Sequence, residues 1–237
     1  DAASDLSIQV HPDDALAGVR HNGSKGKTEM WYVIEADKDA YLLSGLSKTI
    51  TPEEYERMVE DNTITDVIAR HNVKKGDVFF LPAGRIHAIC GGCFIAEIQQ
   101  TSDITYRIYD YGRMGLDGKP RELHTELAKD AIDFKAYSDY RTDYVTRENE
   151  NTPLVECQYF TTSLLDLTQP LTQGLADRDS FTIVICTEGE GTVTVEGDNI
   201  DQQHKTVSLR QGETVLIPAC ATSMTVAPSS NIKVLTS

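Results

Sequence analysis

Side chains that could bind a metal ion lie near the start of the chain. Gln9 and His11 are two residues apart in a segment that alternates polar and apolar residues, so on a β-strand both would point to the same face. Glu29 adds a carboxylate at the next predicted strand. Imidazole and carboxylate groups are ordinary ligands of zinc, whereas an amide is an uncommon one. The sequence therefore predicts a divalent-cation site, in which Gln9 is either a ligand or a residue that orients the ligands.

A later segment supplies another histidine. Gly76, Pro82, Gly84 and His87 have the spacing Gly-x5-Pro-x-Gly-x2-His, which resembles the second conserved motif of the cupin superfamily. In cupins the final histidine of this motif binds a metal ion inside a β-barrel. Two neutral imidazoles, one amide and one carboxylate would leave a bound divalent ion with one positive charge. Such a site would accept substrate oxygens and would suit an anionic intermediate.

Longer blocks indicate a narrower family. They are Leu6-Ser-Ile-Gln-Val-His-Pro-Asp-Asp14, Gly26-Lys-Thr-Glu-Met-Trp-Tyr32, Pro82-Ala-Gly-Arg-Ile-His-Ala88 and Gln99-Gln-Thr-Ser-Asp-Ile-Thr-Tyr-Arg-Ile-Tyr-Asp-Tyr-Gly-Arg113. In order and spacing they resemble type I mannose-6-phosphate isomerases, which are zinc-dependent cupins. The resemblance covers essentially the whole chain, because short bacterial members also end in a second, degenerate cupin. Those members carry further strands before the first block, so we expect this chain to be a fragment or processed product that lacks them.

The resemblance implies roles for individual positions. It implies that one zinc ion per chain is bound by Gln9, His11, Glu29 and His87, that Arg107 is catalytic, that Lys27 and Glu97 are candidates for proton transfer, and that Ser7 lies near the substrate phosphate. The implied reaction interconverts mannose 6-phosphate and fructose 6-phosphate through an enediol. Arg107 is permanently cationic, so it is better suited to stabilising negative charge than to acting as the base. The residues alone do not decide between Lys27 and Glu97 as the base.

Other functions and simpler structural roles stay open at this stage. One alternative is a non-catalytic cupin that binds a sugar phosphate, inactivated by the absent N-terminal strands; an iron-dependent cupin oxygenase is a weaker one. We expect the isolated histidines to be surface or structural residues: His21, His71, His124 and His204. We expect Trp31 to pack inside a barrel rather than to stack on a sugar. We also expect Gly91 and Gly92, between two cysteines, to form a hairpin turn rather than part of a metal site.

The elements that must position these residues are mainly strands, because most of the chain alternates at period two. Strands are predicted at residues 6–11, 27–34, 78–81, 94–99, 105–109, 181–186, 192–195, 206–209, 214–217 and 232–235. One helix is predicted to begin with Thr51 as N-cap and Pro52 at its first position and to reach about residue 70, and a short one is predicted at Thr125–Phe134. The polar segment 138–152 is the best candidate for a linker.

An internal repeat links the two halves of the chain. Gly76–His87 aligns without gaps on Gly212–Ser223, and each copy contains a glycine turn, an acidic residue, a hydrophobic strand and Pro-Ala. Ser223 replaces His87, so the second copy lacks this ligand. We therefore predict two cupin-like (jelly-roll) β-barrels: a metal-binding domain at 1–140 with a helical insertion at about 51–70, and a degenerate domain at 150–237.

Composition argues against several classes of function. The 237 residues carry a formal net charge of −15, which disfavours nucleic-acid binding. No apolar run approaches the ~20 residues that a membrane span requires. Five cysteines, an odd and small number, suit a reducing compartment. Together with the resemblance, these features predict a cytoplasmic monomer or homodimer that acts on a small phosphorylated hexose.

Overall fold

The computed structural model describes residues 2–115, 117–201, 203 and 205–237, which form two compact units, Asp1–Thr142 and Asp143–Ser237. Strands make up 43% of the chain and helices 12%, so the predicted mainly β class is confirmed. The elements are β1 (Ile8–Val10), α1 (Asp14–Arg20), β2 (Glu29–Ala36), β3 (Tyr41–Leu46), α2 (Pro52–Glu60), a 3₁₀ turn (Ile64–Val67), β4 (Ile68–Asn72), β5 (Val78–Leu81), β6 (His87–Ile89), β7 (Cys93–Gln99), β8 (Tyr106–Tyr109), α3 (Thr125–Ala131), β9 (Asn151–Glu156), β10 (Thr161–Leu167), β11 (Leu171–Gly174), β12 (Thr182–Glu196), β13 (Thr206–Arg210), β14 (Thr214–Ile217) and β15 (Ser223–Thr236). Among the described helices, none is long and apolar enough to cross a membrane.

The first unit contains a five-stranded sheet, in the order β4-β3-β6-β1-β8, and a three-stranded sheet, in the order β5-β2-β7. One face of the five-stranded sheet packs on the helices through a core that includes Ile8, Ile108, Tyr55 and Ala128. Because side chains alternate along a strand, residues of the other parity, such as His87, lie on the opposite face. That face meets the three-stranded sheet, and the candidate site lies between the two sheets.

Helix α2 begins as predicted but ends earlier. Thr51 is the N-cap of a complete capping box with Glu54, and Pro52 opens the helix. The helix ends at Glu60, and Asn62 adopts a left-handed conformation with φ of 57°, which stops helical propagation. The predicted extension to residue 70 is therefore wrong, since residues 68–72 form β4 and pair with β3 instead.

The turn at Gly91 and Gly92 also differs from its prediction. Strand β6 pairs with β1 and β3, whereas β7 pairs with β2, so the two glycines connect different sheets rather than the two arms of a hairpin. Gly92 has a φ of 82°, which explains why glycine suits this position. Cys90 and Cys93 are buried free thiols on either side of the turn.

The second unit is a seven-stranded antiparallel sheet, with β13-β12-β15-β10-β9 as its main path, β11 beside β15 and β14 beside β12. The segments predicted at 181–186 and 192–195 form one strand, β12, with 15 residues, and the segment predicted at 232–235 is only the end of β15, which has 14. Both bend at bulges, and a Cβ at Gly189 would lie 2.2 Å from the carbonyl oxygen of Asn231, so only glycine fits. The described strands form open sheets in both units, so closed barrels are not observed.

The two copies of the internal repeat adopt the same local structure. Gly76 and Gly212 have φ angles of 88° and 85°, and each precedes a four-residue strand, β5 or β14. His87 and Ser223 are then the first residues of β6 and β15. The repeat therefore extends from the sequence to the backbone, while the potential ligand occurs in one copy.

Candidate metal centre

Three buried side chains converge between the two sheets of the first unit. His11 follows β1, Glu29 is the first residue of β2, and His87 is the first residue of β6. One potential ligand atom from each lies within 4.8 Å of the others, and the three residues are 2%, 1% and 1% exposed. The structure thus brings together residues that are up to 76 positions apart in sequence (87 − 11).

Both histidines direct Nε2 toward the Glu29 carboxylate in this cluster. His11 Nδ1 lies 2.7 Å from the carbonyl oxygen of Ile104, and His87 Nδ1 lies 2.8 Å from that of Arg85. A carbonyl oxygen only accepts hydrogen bonds, so each Nδ1 carries a proton, and in the neutral form of each ring the lone pair is on Nε2. Burial lowers the pKa of His87 to about 4, which keeps this ring neutral at physiological pH.

Glu29 supplies the negative charge of the cluster. Its Oε1 lies 3.1 Å from His11 Nε2 and 2.7 Å from Lys27 Nζ, and its Oε2 lies 3.8 Å from His87 Nε2. Burial by itself would raise the pKa of Glu29, but interactions with His11, His87 and Lys27 outweigh that effect and hold this pKa below its usual range. The carboxylate is therefore ionised.

The unsatisfied atoms of the cluster match the needs of a cation. Within the described part of the chain, His11 Nε2 and both carboxylate oxygens of Glu29 have no partner in hydrogen-bond geometry, although charged groups lie nearby. Buried polar atoms without hydrogen bonds are costly, so their convergence suits the binding of a cation. Two histidines and one glutamate form a known catalytic zinc set, and histidines bound to metal usually donate their other N–H to a carbonyl or carboxylate. These residues therefore fit a zinc ion.

Gln9 adjoins the cluster in the five-stranded sheet. It lies directly opposite His87 on β6 and directly opposite Arg107 on β8, so the three side chains share one face. Its amide Nε2 is 3.3 Å from His87 Nε2. A half-turn of the amide would present Oε1 to the same point, so this position is compatible with either role predicted for Gln9.

The residues predicted for catalysis lie at different distances from the cluster. Lys27 Nζ lies between Glu29 and Glu97, 3.8 Å from Glu97 Oε1. Burial, and then the negative charge of Glu29, raise the pKa of Glu97, whose side chain is 32% exposed. Arg107 Nη1 instead donates to the carbonyl oxygen of Glu122 at 2.9 Å, although the residue lies directly opposite Gln9 on the neighbouring strand. Ser7 is buried one residue before β1.

An arginine cluster next to Arg107 was not predicted. Both oxygens of the buried Asp110 accept hydrogen bonds from Arg121 at 2.5 Å, and Arg113 Nε lies 3.2 Å from Asp110 Oδ1. In the described structure, Arg107 Nε and Arg113 Nη2 are buried without hydrogen-bond partners. Arg113 ends the last family block, which was a usable signal, but Arg121 lies outside every block and the acidic composition conceals this local basic region.

The other histidines have structural partners. His21 Nε2 lies 2.8 Å from the Tyr106 hydroxyl, and His71 Nε2 donates to the carbonyl oxygen of Ser44 at 3.0 Å. His124 Nδ1 accepts the backbone N–H of Arg107 at 3.2 Å. These contacts agree with the structural roles expected for the three residues, while His204 lies outside the described residues.

Comparison with known proteins identifies the family. The model of the mannose-6-phosphate isomerase cupin domain matches residues 150–236. Mannose-6-phosphate isomerase ManA of Bacillus subtilis (strain 168) is 36% identical over 220 residues, which cover 92% of this chain and 67% of ManA. The chain belongs to the mannose-6-phosphate isomerase family. The resemblance inferred from the four sequence blocks is thereby confirmed.

Solved structures of mannose-6-phosphate isomerases share the fold. The crystal structure of the Bacillus subtilis enzyme matches with a TM-score of 0.84 and 30% identity over 100% of this chain and 73% of that chain. A zinc-bound mannose 6-phosphate isomerase matches with a TM-score of 0.72 and 15% identity, covering 99% of this chain and 76% of that chain. The predicted cupin-type fold is therefore confirmed at the level of the family.

Proposed function

We propose that this chain is a zinc-dependent aldose–ketose isomerase that interconverts mannose 6-phosphate and fructose 6-phosphate through an enediol. The observation that carries the proposal is the buried cluster of His11, Glu29 and His87, in which two imidazole rings and one carboxylate converge. A non-catalytic sugar-phosphate-binding module is not favoured, because the family relative ManA is named as an isomerase.

One zinc ion per chain would be held by His11, Glu29 and His87, with Gln9 as fourth ligand. A zinc ion bound there would acidify the C–H bond next to the sugar carbonyl and stabilise the negative charge that develops on the oxygens of C1 and C2. The chain contributes one negative charge to the ligand set, through Glu29, so the site would retain one positive charge. That charge favours the enediolate over the neutral sugar.

In the proposed mechanism, Lys27 or Glu97 moves the proton between C1 and C2. Lys27 Nζ lies 2.7 Å from Glu29 and 3.8 Å from Glu97, so this ammonium connects the buried cluster with the more exposed carboxylate. Whichever group is the base, its removal should stop exchange of the C1 or C2 hydrogen with solvent. Comparing Lys27→Met with Glu97→Gln by deuterium incorporation therefore separates the two roles.

The substrate phosphate would bind near the arginine cluster and Ser7. Arg107 Nε and Arg113 Nη2 are buried donors without partners in the described part of the chain, and Asp110 holds the segment that carries them. A dianionic phosphate matches such donors in charge and geometry. Arg107, closest to the cluster along the sheet, would also stabilise the enediolate.

The direct test is metal content together with turnover of mannose 6-phosphate, measured before and after chelation and after zinc is restored. His87→Gln should abolish both zinc binding and turnover, whereas the control His71→Gln, which changes a histidine outside the cluster, should retain both. Undiminished turnover by a zinc-free sample would contradict the metal mechanism.

The division into domains is part of the same proposal. We propose a metal-binding domain at 1–140, with its helical insertion after Thr51, and a degenerate cupin domain at 150–237. In the second copy of the repeat, Ser223 occupies the position that corresponds to His87, which supports a metal site in the first domain only. Cytoplasmic location is proposed from the family and from the small number of cysteines.

A further inference from the structure

Trp31 lies beside the candidate ligands, in a buried apolar cluster of the first unit. It lies on β2 two residues after Glu29, so both side chains point to the same face, and it is 1% exposed. Across the three-stranded sheet it lies directly opposite Glu97 on β7 and Phe79 on β5. It is the only tryptophan in the chain.

The ring of Trp31 contacts the ring of His87. Their centroids are 5.3 Å apart and their planes are inclined by 81°, an edge-to-face arrangement. The hydrogen bond from His87 Nδ1 to the Arg85 carbonyl leaves the imidazole free to tilt about that bond. Trp31 limits this tilt from one side, which keeps Nε2 directed at the cluster.

The indole N–H of Trp31 is a buried donor that the fold itself leaves unsatisfied. Nε1 has no acceptor in hydrogen-bond geometry among the residues that the structure describes. The carboxylate directly opposite belongs to Glu97, with which the Trp31 side chain interacts. A small rotation of Glu97, which is 32% exposed and so has room to move, would complete the hydrogen bond.

We propose that Trp31 is a positioning residue that couples the two halves of the site: its ring holds the His87 imidazole, and its Nε1–H holds the Glu97 carboxylate. The second half of this proposal, the role of Nε1–H, rests on the proposed isomerase function, whereas the first half, the role of the ring, does not. Two variants separate the halves, because Trp31→Phe keeps an aromatic ring without the N–H, whereas Trp31→Leu removes the ring as well.

The first experiment measures zinc affinity by competition with a chromophoric chelator. Trp31→Phe should bind zinc within about twofold of the wild type, and Trp31→Leu should bind it about 10- to 100-fold more weakly, the usual range for residues that orient metal ligands. Phe79→Leu is the matched control, because Phe79 is buried on the other side of Trp31, and it should bind zinc like the wild type. A folded Trp31→Leu protein with wild-type affinity would overturn the first half of the proposal.

The second experiment follows the N–H. A single tryptophan gives one indole resonance in a ¹H–¹⁵N NMR spectrum, and Glu97→Gln should shift it, whereas Glu35→Gln, on the same strand as Trp31, should not. Trp31→Phe should lower kcat about tenfold with little change in KM, and it should have less than a twofold effect in a Glu97→Gln background. An unmoved resonance in Glu97→Gln, or a wild-type kcat in Trp31→Phe, would overturn the second half. A wild-type protein without turnover would refute the isomerase function alone, since the affinities and the resonance would still decide the role of Trp31.

Discussion

Replacing Glu29 with glutamine removes the single negative charge of the proposed ligand set while keeping its shape. Glu29 is 1% exposed, and both of its oxygens face histidine nitrogens. The amide introduced by the substitution would still occupy the space beside His11 and His87 without attracting a cation as strongly. We therefore expect Glu29→Gln to fold and to lose zinc affinity.

The size of the loss follows from Coulomb's law. Two unit charges about 4 Å apart at an effective dielectric constant of about 20 attract by about 4 kcal/mol, which corresponds to roughly a thousandfold in affinity. Zinc is divalent and a coordinated oxygen lies closer, so this is a lower bound. Zinc at about 100 times the wild-type Kd stabilises the folded protein by about 2.7 kcal/mol, but at the same concentration it would stabilise the variant by about 0.1 kcal/mol.

Thermal unfolding of the metal-free proteins, with and without added zinc, measures this difference. For a unit of this size, zinc should raise the Tm of the wild type by roughly 5–10 °C and that of Glu29→Gln by less than about 1 °C. Each protein is compared with itself, so any change in its intrinsic stability cancels. Glu97→Gln, a neighbouring carboxylate outside the cluster, is the control and should keep the full shift. A shift in Glu29→Gln equal to that of the wild type would refute the reasoning.

Three further perturbations test other parts of the molecule. Arg107→Ala should lower kcat/KM about 10²- to 10³-fold without unfolding the protein. The control Arg70→Ala, which removes an arginine stacked on Tyr41, should leave kcat/KM unchanged. Equal activities of the two variants would remove Arg107 from the mechanism. Asp110→Asn should lower the free energy of unfolding by about 1–2 kcal/mol at pH 7 in urea titrations. Hydrogen bonding to Arg121 holds the pKa of Asp110 below its usual range. The stabilisation is therefore complete above the ordinary aspartate pKa of about 4 and is lost as the pH falls further. A difference in stability between the two proteins that persists in acid would contradict the role given to the Asp110–Arg121 pair. Thr51→Ala should cost about 1 kcal/mol by breaking the capping box of α2, while Thr51→Ser should cost much less in the same titration.

The family blocks predicted the candidate metal cluster, and a local signal predicted the start of α2. Thr51 and Pro52 determine where the helix begins without help from distant residues, so the start of α2 was predicted correctly. The convergence of His11 and His87 was predictable because the family blocks contain both residues. The orientation of the two buried rings was not predictable. It depends on hydrogen bonds from Nδ1 to the backbone carbonyl groups of Ile104 and Arg85, which the side chains at these positions do not indicate.

Tertiary pairing decided what the sequence could not. The segment after Glu60 has helical features, yet residues 68–72 extend to pair with β3. The long strands β12 and β15 continue through bulges that interrupt the alternation on which strand prediction depends. The pairing of Arg107 with Gln9 on the neighbouring strand was not predicted, and the direction of its guanidinium group depends on the carbonyl of Glu122, which no pattern in the sequence indicates.

The anchoring of both imidazoles by main-chain oxygen atoms affects how the protein tolerates mutation. Any amino acid at positions 85 and 104 supplies the same carbonyl, so neither site requires a particular side chain to hold its histidine. Random substitution at these two positions should therefore leave metal loading intact as long as the local backbone path is kept. A lineage could change the surroundings of the histidines extensively without having to preserve an acidic partner for either ring.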